Sequence, residues 1–425
     1  YTYGNEEQFA FNVDASFDLQ PKKTRHSIEF GLYYQQRAER NYSMTATNGS
    51  NTLWNQMRLL ANRHILNLDR ANPIFVVGGN RYTLEDINNG VVLFGPNDTV
   101  IYNRLFEASA QSNFDKNLRM KLGLDPNGTD YINVDAYDPS TFSLDMFSAD
   151  ELIRQGEPMA TWFGYDHVGN RVNGQVNFND WFTKRDANGN YTREVGAFRP
   201  NYIAGYIMDK FELPNNTLFH LGVRVERFDA NTKVLKDPYS LYATHTVATS
   251  SAVNALNNGV TPANIGSDYV VYVTDNSSSN PTVIGYRNGD DWYDPSGNFI
   301  QDPELLKNFS GGRDPQPDLV KTGTTRALTM QDAGYDPNTS FSDYKPQVHV
   351  LPRISFTFPI AEQSMFYAHY DVLVQRPKSA FVIFASPVDY YYLNQNAQDI
   401  IRNPVLKPEK TFDYELGFQQ VVSTN

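Results

Sequence analysis

The sequence predicts an all-β chain: a transmembrane antiparallel β-barrel with long, partly folded extracellular loops. Three observations carry this. Several segments alternate apolar and polar residues with a period of two, the pattern of strands with one greasy and one wet face. Short and very long connections alternate between them, as tight turns and long loops do on the two rims of such a barrel. The third is a composition conflict: mean hydropathy is −0.52 while 14% of the 425 residues are aromatic. A strand wall resolves it, because only every second strand residue need be apolar. No apolar run approaches the roughly 18 to 20 residues of a membrane-spanning helix.

In chain order, Phe9, Phe11, Val13, Ala15, Phe17 and Leu19 alternate with Ala10, Asn12, Asp14, Ser16 and Asp18. After a turn at Gln20, Pro21, Lys22, Lys23 and Thr24, residues Ile28, Phe30, Leu32 and Tyr34 oppose Glu29, Gly31, Tyr33 and Gln35. The pair reads as a long hairpin. A second hairpin covers Tyr202 to Leu213 and Leu218 to Asp229 around Pro214 to Thr217. In a third, Val348, Val350, Ile354, Phe356 and Phe358 share a face, Pro359 to Gln363 turn, and Phe366, Ala368, Tyr370 and Val372 follow. A last strand sets Phe412, Tyr414, Leu416 and Phe418 against Thr411, Asp413, Glu415 and Gly417. About seven strands pass this test. Some 11 residues at about 3.3 Å each, tilted by about 40°, rise close to 28 Å, which matches the apolar band of an outer-membrane barrel.

The expected organisation is a barrel hairpin at 1–37, an extracellular loop at 38–200, hairpins at 201–229 and 347–375 separated by a loop at 230–346, a loop at 376–409, and a strand at 410–425. Structureless loops of that length are unusual in a compact soluble domain, and these carry signals of order. Leu53 to Ile65 behind Thr52 predicts a helix, as does Ser148 to Gln155, where Ser148 and Glu151 have capping-box spacing and Gly156 stops the turn. Asp302 before Pro303 marks another helix start. Tyr269 to Val273 and Val283 to Tyr286 predict a hairpin outside the membrane.

Charge and motif content exclude several functions. With 36 Lys and Arg against 48 Asp and Glu, the net charge is −12, so there is no general positive field for nucleic acid. Cysteine is absent, which removes disulfides, thiolate metal sites and a cysteine nucleophile. The seven histidines, His26, His64, His167, His220, His245, His349 and His369, lack the spacing of a helical zinc site. No phosphate loop, dinucleotide turn or nucleophile elbow occurs. No residue is predicted to be catalytic, no cofactor is implied and the chain is not expected to be an enzyme. Asp186, Asn188 and Asn190 have calcium-loop spacing, but Tyr191 stands in place of the turn glycine and Ala197 in place of the bidentate acid. An ordinary polar turn fits better. Asp290, Asp291 and Asp294 are weak metal candidates on the same footing, since Asp294 to Gly297 also reads as a turn.

The polar strand faces hold Asp14, Asp18, Glu29, Arg224, Glu226, Arg353, His369, Asp413 and Glu415. Of these, Arg224, Glu226, Arg353 and His369 are candidate ligand contacts, with Arg353 expected opposite His369 across the third hairpin. The other candidates are Tyr390, Tyr391 and Tyr392 in the loop at 376–409, because stacked aromatics hold sugars or planar ligands at low entropic cost. Anchoring at the membrane interface explains the triplet equally well. Asp209 breaks the apolar face of Ile203, Ile207, Phe211 and Leu213, as at a bulge or a rim.

With the hairpins placed, Asn201 to Phe211 (NYIAGYIMDKF), Leu221 to Asp229 (LGVRVERFD), Phe366 to Pro377 (FYAHYDVLVQRP) and Asn403 to Phe418 (NPVLKPEKTFDYELGF) stand out. These segments resemble the barrel of a TonB-dependent outer-membrane transporter. Asn403-Pro404, Leu406-Lys407-Pro408-Glu409 and Tyr414-Glu415-Leu416-Gly417 are the most specific, and Tyr269 to Val273 leans toward the SusC-like and Oar-like branch. The resemblance implies part of a barrel of about 22 strands, with a plug domain and TonB box outside this segment. It also implies uptake of a scarce solute (siderophore, oligosaccharide or peptide) across the outer membrane of a Gram-negative bacterium. Implied partners are outer-membrane lipid, the protein's own plug and the TonB complex, and no nucleic acid. The alternative is a surface anchor, adhesin or subunit of a secretion or lipoprotein complex that works through the long loops.

Overall fold

The structure is a computed structural model. It describes all residues but 22, 46, 49–50, 155–156, 256–260, 279–280, 322–326, 333, 377–382, 394–401 and 423–425. Lys22 of the first turn, the helix end at Gln155 and Gly156, and Pro377 therefore lie outside the described residues.

Seven long strands form one antiparallel path: β1 (Thr2–Leu19), β2 (Arg25–Met44), β3 (Asn201–Glu212), β4 (Leu218–Asp229), β5 (Gln347–Ala361), β6 (Ser364–Gln375) and β7 (Glu409–Gln420), each beside its neighbour in sequence. They are the strands that the alternation predicts, although β1 starts before Phe9 and β2 runs past residue 37. The chain is all-β, built on a large antiparallel sheet that is amphipathic in the manner of an outer-membrane barrel wall. The interior strands make the point, since both their edges are paired. Ile203 and Ile207 on β3, Leu221, Val223 and Val225 on β4, and Val348, Val350 and Ile354 on β5 are all exposed. Contiguous exposed apolar surface of this extent has to face something other than water. No helix among the described residues is long and apolar enough to cross a membrane.

Beside the short turns, rings on the apolar face form a row. His26 stacks on Phe211 with centroids 5.2 Å apart, Phe211 on Phe219 at 5.0 Å, and Phe219 on Phe356 at 6.0 Å, while Phe356 meets Phe366 at 5.8 Å. Asp209 lies in this row, its Oδ2 2.9 Å from Nδ1 of His26. The β2–β3 ladder runs unbroken from Arg25↔Glu212 to Gln36↔Asn201, so Asp209 marks the rim and not a bulge.

The chain divides into two units: Tyr1–Gly4, Arg40–Val176 and Thr183–Gly196 in one, and Asn5–Glu39, Asn177–Phe182 and Ala197–Asn425 in the other. In the first, helix Leu53–Leu60 starts where expected, with the Thr52 side chain accepting from the Asn55 N–H, but it stops before Asn62, which is left-handed at φ 62°. The chain then leaves as a strand, so the expected helix to Ile65 is too long. Helix Ala149–Ile153 has the expected capping box of Ser148 and Glu151 and is capped at its C-terminus by Arg154 at φ 48°. Glu151 also accepts from the Asn113 N–H at 2.8 Å, and burial pushes its carboxyl above the usual range against the pull of these donors. The core stacks Phe114 on Phe147 at 4.5 Å and encloses a fully buried ion pair, Arg119 Nε to Asp115 Oδ2 at 2.8 Å. A three-stranded arm of Ile65–Val77, Asn80–Thr83 and Thr99–Phe106 was not legible in the alternation.

In the second unit, the expected hairpin is Val270–Val273 with Val283–Asn288. Asp291–Tyr293, Phe299–Ile300 and Gln316–Pro317 extend it to five strands. Its apolar centres are Val271, Val273, Val283 and Tyr286 on one side, and Tyr272, Ile284, Trp292 and Leu306 on the other. The start at Asp302 opens a 3₁₀ helix, Pro303–Phe309.

Candidate functional site

The polar face of the sheet carries the candidate site, and pairing register decides which side chains meet there. The β5 strand continues through Pro359–Ala361 before a two-residue turn, with one register shift, so Arg353 pairs with Asp371 and His369 with Ser355. The expectation of Arg353 opposite His369 is therefore wrong by one same-face step. The sequence reads Pro359 to Gln363 as a five-residue turn, whereas the strand runs on to Ala361. Asp371, absent from the sequence-based candidates, joins the two: Arg353 Nε donates to its carboxylate at 3.0 and 3.1 Å, and His369 Nε2 lies 3.2 Å from its Oδ2. Its only sequence signal was its place on the same face as His369.

Arg224 and Glu226, two apart on β4, also pair. Arg224 Nε donates to Glu226 Oε1 at 2.7 Å and its Nη2 to the Tyr202 hydroxyl at 3.0 Å. The β5–β6 ladder ends at Arg353↔Asp371, beside Pro352, which has no N–H to extend it. A groove of about 520 Å³ opens there, lined among others by Glu29, Tyr206, Arg224, Glu226, Arg353 and Asp371. Four of the sequence-predicted residues thus share one wall: Arg224, Glu226 and Arg353 line the groove, and His369 reaches it through Asp371.

Two tyrosines brace this wall over glycines. Tyr206 faces Gly31 across the β2–β3 pair and reaches over it to donate to Asp14 Oδ1 at 2.8 Å. Tyr367 faces Gly417 and donates to Glu415 Oε1 at 3.1 Å. A Cβ at Gly31 would stand 2.2 Å from Asp14 Oδ1 and 2.5 Å from Tyr206 Cε1. We expect Gly31→Ala to destabilise the sheet by about 1–3 kcal/mol, the usual cost of overpacking. Thermal unfolding of the detergent-solubilised protein checks this, and an unchanged midpoint would refute the bracing role.

The tyrosine triplet lies elsewhere. Tyr390 and Tyr391 end the helix Pro387–Tyr391. Tyr390 and Tyr392 are buried, with Tyr390 edge-on to Phe341 at 5.1 Å and Tyr391 edge-on to Trp181 at 4.8 Å. Burial raises the Tyr390 hydroxyl to about 12. Tyr390 and Tyr392 thus contribute to interior packing, while Tyr391 is half-buried.

Of the acidic candidates, Asp290 and Asp294 accept hydrogen bonds from the protein itself. Asp290 accepts from the Tyr239 hydroxyl at 2.9 Å, and Asp291 is exposed at the start of its strand. Asp294 Oδ1 accepts from the N–H groups of Ser296 and Asn298, and Oδ2 from the Asn298 amide. Burial pushes this carboxyl up, but the turn hydrogen bonds outweigh it and hold it below its usual range. Asp186 makes the same turn with Asn188 and Asn190, as does Asp166 with Val168 and Asn170. All three follow Asp-x-x-Gly-Asn, with glycine at positive φ. No three acidic or histidine side chains converge as a metal site among the described residues.

The fold and this wall define the class as an amphipathic antiparallel β-sheet protein of the outer-membrane barrel kind. No protein-family profile and no curated protein sequence matches the chain. Among solved structures, the chain is similar to a double mutant of the Serratia marcescens hemophore receptor HasR, in complex with its hemophore HasA and heme, at 8% identity and a TM-score of 0.23. The match covers 98% of this chain and 36% of HasR, so the chain spans about a third of that receptor's length. A likeness this weak carries no assignment of function.

Proposed function

We propose that the chain is part of the wall and external loops of an outer-membrane barrel that takes up a scarce solute in a TonB-dependent manner. The observation that carries the reading is the sheet itself. Its exposed apolar face is bounded near the short turns by the ring row His26, Phe211, Phe219, Phe356 and Phe366, and its opposite face is ion-paired. Lipid on one side and a wet lumen on the other account for both faces and for the aromatic girdle. The folded five-stranded insert supports the branch with large external elements, SusC-like or Oar-like. The test is uptake by cells carrying the intact protein. The protein should fractionate with the outer membrane, and deleting the TonB partner should abolish uptake. Uptake that survives the deletion would refute energised transport.

One observation favours the alternative, a surface module that docks a lipoprotein or another subunit. No residue from 65 to 110 is buried, and Leu66, Leu68, Leu93, Leu105 and Phe106 of the arm region are exposed. A small sheet without a core of its own gains stability by being covered. Co-purification of a partner that is lost when the arm is deleted would support docking.

A further inference from the structure

We propose that a second groove on the polar face, at the loop-side ends of β2, β3 and β6, binds a small carboxylated sugar whose carboxylate sits on Arg376. The inference deepens the transport reading by naming the chemistry of the cargo, and rests on it only for that purpose.

The argument starts from charge pairing. In this acidic chain Arg25, Arg37, Arg224, Arg227 and Arg353 each lie on a carboxylate. Arg376 has no carboxylate partner among the described residues. Its guanidinium instead lies 3.6 Å above the ring centroid of Tyr202. That ring is fixed from two sides: its hydroxyl accepts from Arg224 at 3.0 Å, and Tyr33 packs edge-on at 5.7 Å. A guanidinium stacked on a fixed ring loses one hydrated face and keeps its planar N–H edge free, which is the geometry that takes a carboxylate bidentately.

The surroundings fit the rest of such a ligand. The groove measures about 420 Å³, within the range of small-molecule sites. Arg37 also lines it, but Glu39 neutralises it at 2.7 Å, so Arg376 supplies the net positive charge. Gln375 lines the groove with an amide that both donates and accepts, and Asn201, whose Oδ1 accepts from Arg227 at 3.4 Å, adds an amide N–H donor, as sugar hydroxyls require. A single planar fork without a carboxylate partner among the described residues suits one carboxylate better than a phosphate, which draws several cations or N–H groups.

The experiment is calorimetric titration of the intact, detergent-solubilised protein with glucuronate, glucose and acetate. Glucuronate is expected to bind about tenfold or more tightly than either of the others. Arg376→Gln should lose about tenfold or more of that affinity, the usual scale for a charge-assisted hydrogen bond, and Arg376→Lys should recover only part, because it lacks the planar fork. Equal binding of glucose and glucuronate, or unchanged binding in Arg376→Gln, would overturn the proposal. If Arg376→Gln does not fold, the preference of the native protein for glucuronate over glucose decides. TonB-dependent uptake without glucuronate binding would overturn the ligand alone. Glucuronate binding with TonB-independent uptake would overturn the transport reading alone.

Discussion

Val223→Arg is expected to lower the stability of the lipid-embedded protein by about 2–4 kcal/mol, the cost of an arginine near mid-membrane on the outer face of a barrel. Val223 sits at the centre of β4, paired to Ile207 on one side and Pro352 on the other, with 37% of its surface exposed on the apolar face. The comparison that isolates the membrane is Ser355→Arg on the polar face, paired with His220 and His369, where the added charge stays in water and should cost well under half as much. Reversible unfolding in lipid vesicles measures both. In water, exposed substitutions of this kind stay within about 0.5 kcal/mol. Two equally mild variants would therefore mean that the apolar face does not lie against lipid.

Asp115→Ala is expected to have the other large effect, about 3–5 kcal/mol within the first unit, because it strands a buried cation. Asp115 and Arg119 are both fully buried, and Asp115 also accepts from the Asn62 N–H at 2.9 Å and the Gln111 amide at 2.8 Å. Arg119 Nη2 donates to the Asp130 carbonyl at 2.8 Å, so the pair ties the segment around residue 130 to helix Asn113–Lys121. Removing both charges, as in Asp115→Ala with Arg119→Met, should recover much of the loss, since desolvated pairs are commonly replaceable by apolar packing. Hydrogen exchange of the helix amides reads the effect. A single variant as mild as the double one would refute the linkage.

Legibility followed the range of the interaction. The seven strands could be read because a strand in a sheet with one apolar and one polar face must alternate at every second residue, a signal local to about 11 positions. Thr52, Ser148 and Asp302 were readable as caps for the same reason, since a capping hydrogen bond spans two or three residues. The arm at 65–106 was not readable: with neither face buried, its strands were under no pressure to alternate. Ala61 ends one helix in extended backbone and Arg154 another in left-handed backbone, and neither residue type is a visible stop signal.

The candidate site divides in the same way. Sequence by itself determined which residues face the polar side of the sheet, because parity along a strand survives any register. It therefore placed Arg224, Glu226, Arg353 and His369 on one wall. Which of them touch was decided only in the tertiary structure. A strand that continued past Pro359 moved Arg353 onto Asp371, and the end of the β5–β6 ladder beside Pro352 opened the groove between them. The tyrosine triplet gives the converse case: composition offered three aromatic rings, and packing buried two of them, Tyr390 and Tyr392. Parity is a local property of the chain, whereas register and burial depend on partners distant in sequence, so only the folded structure could assign them.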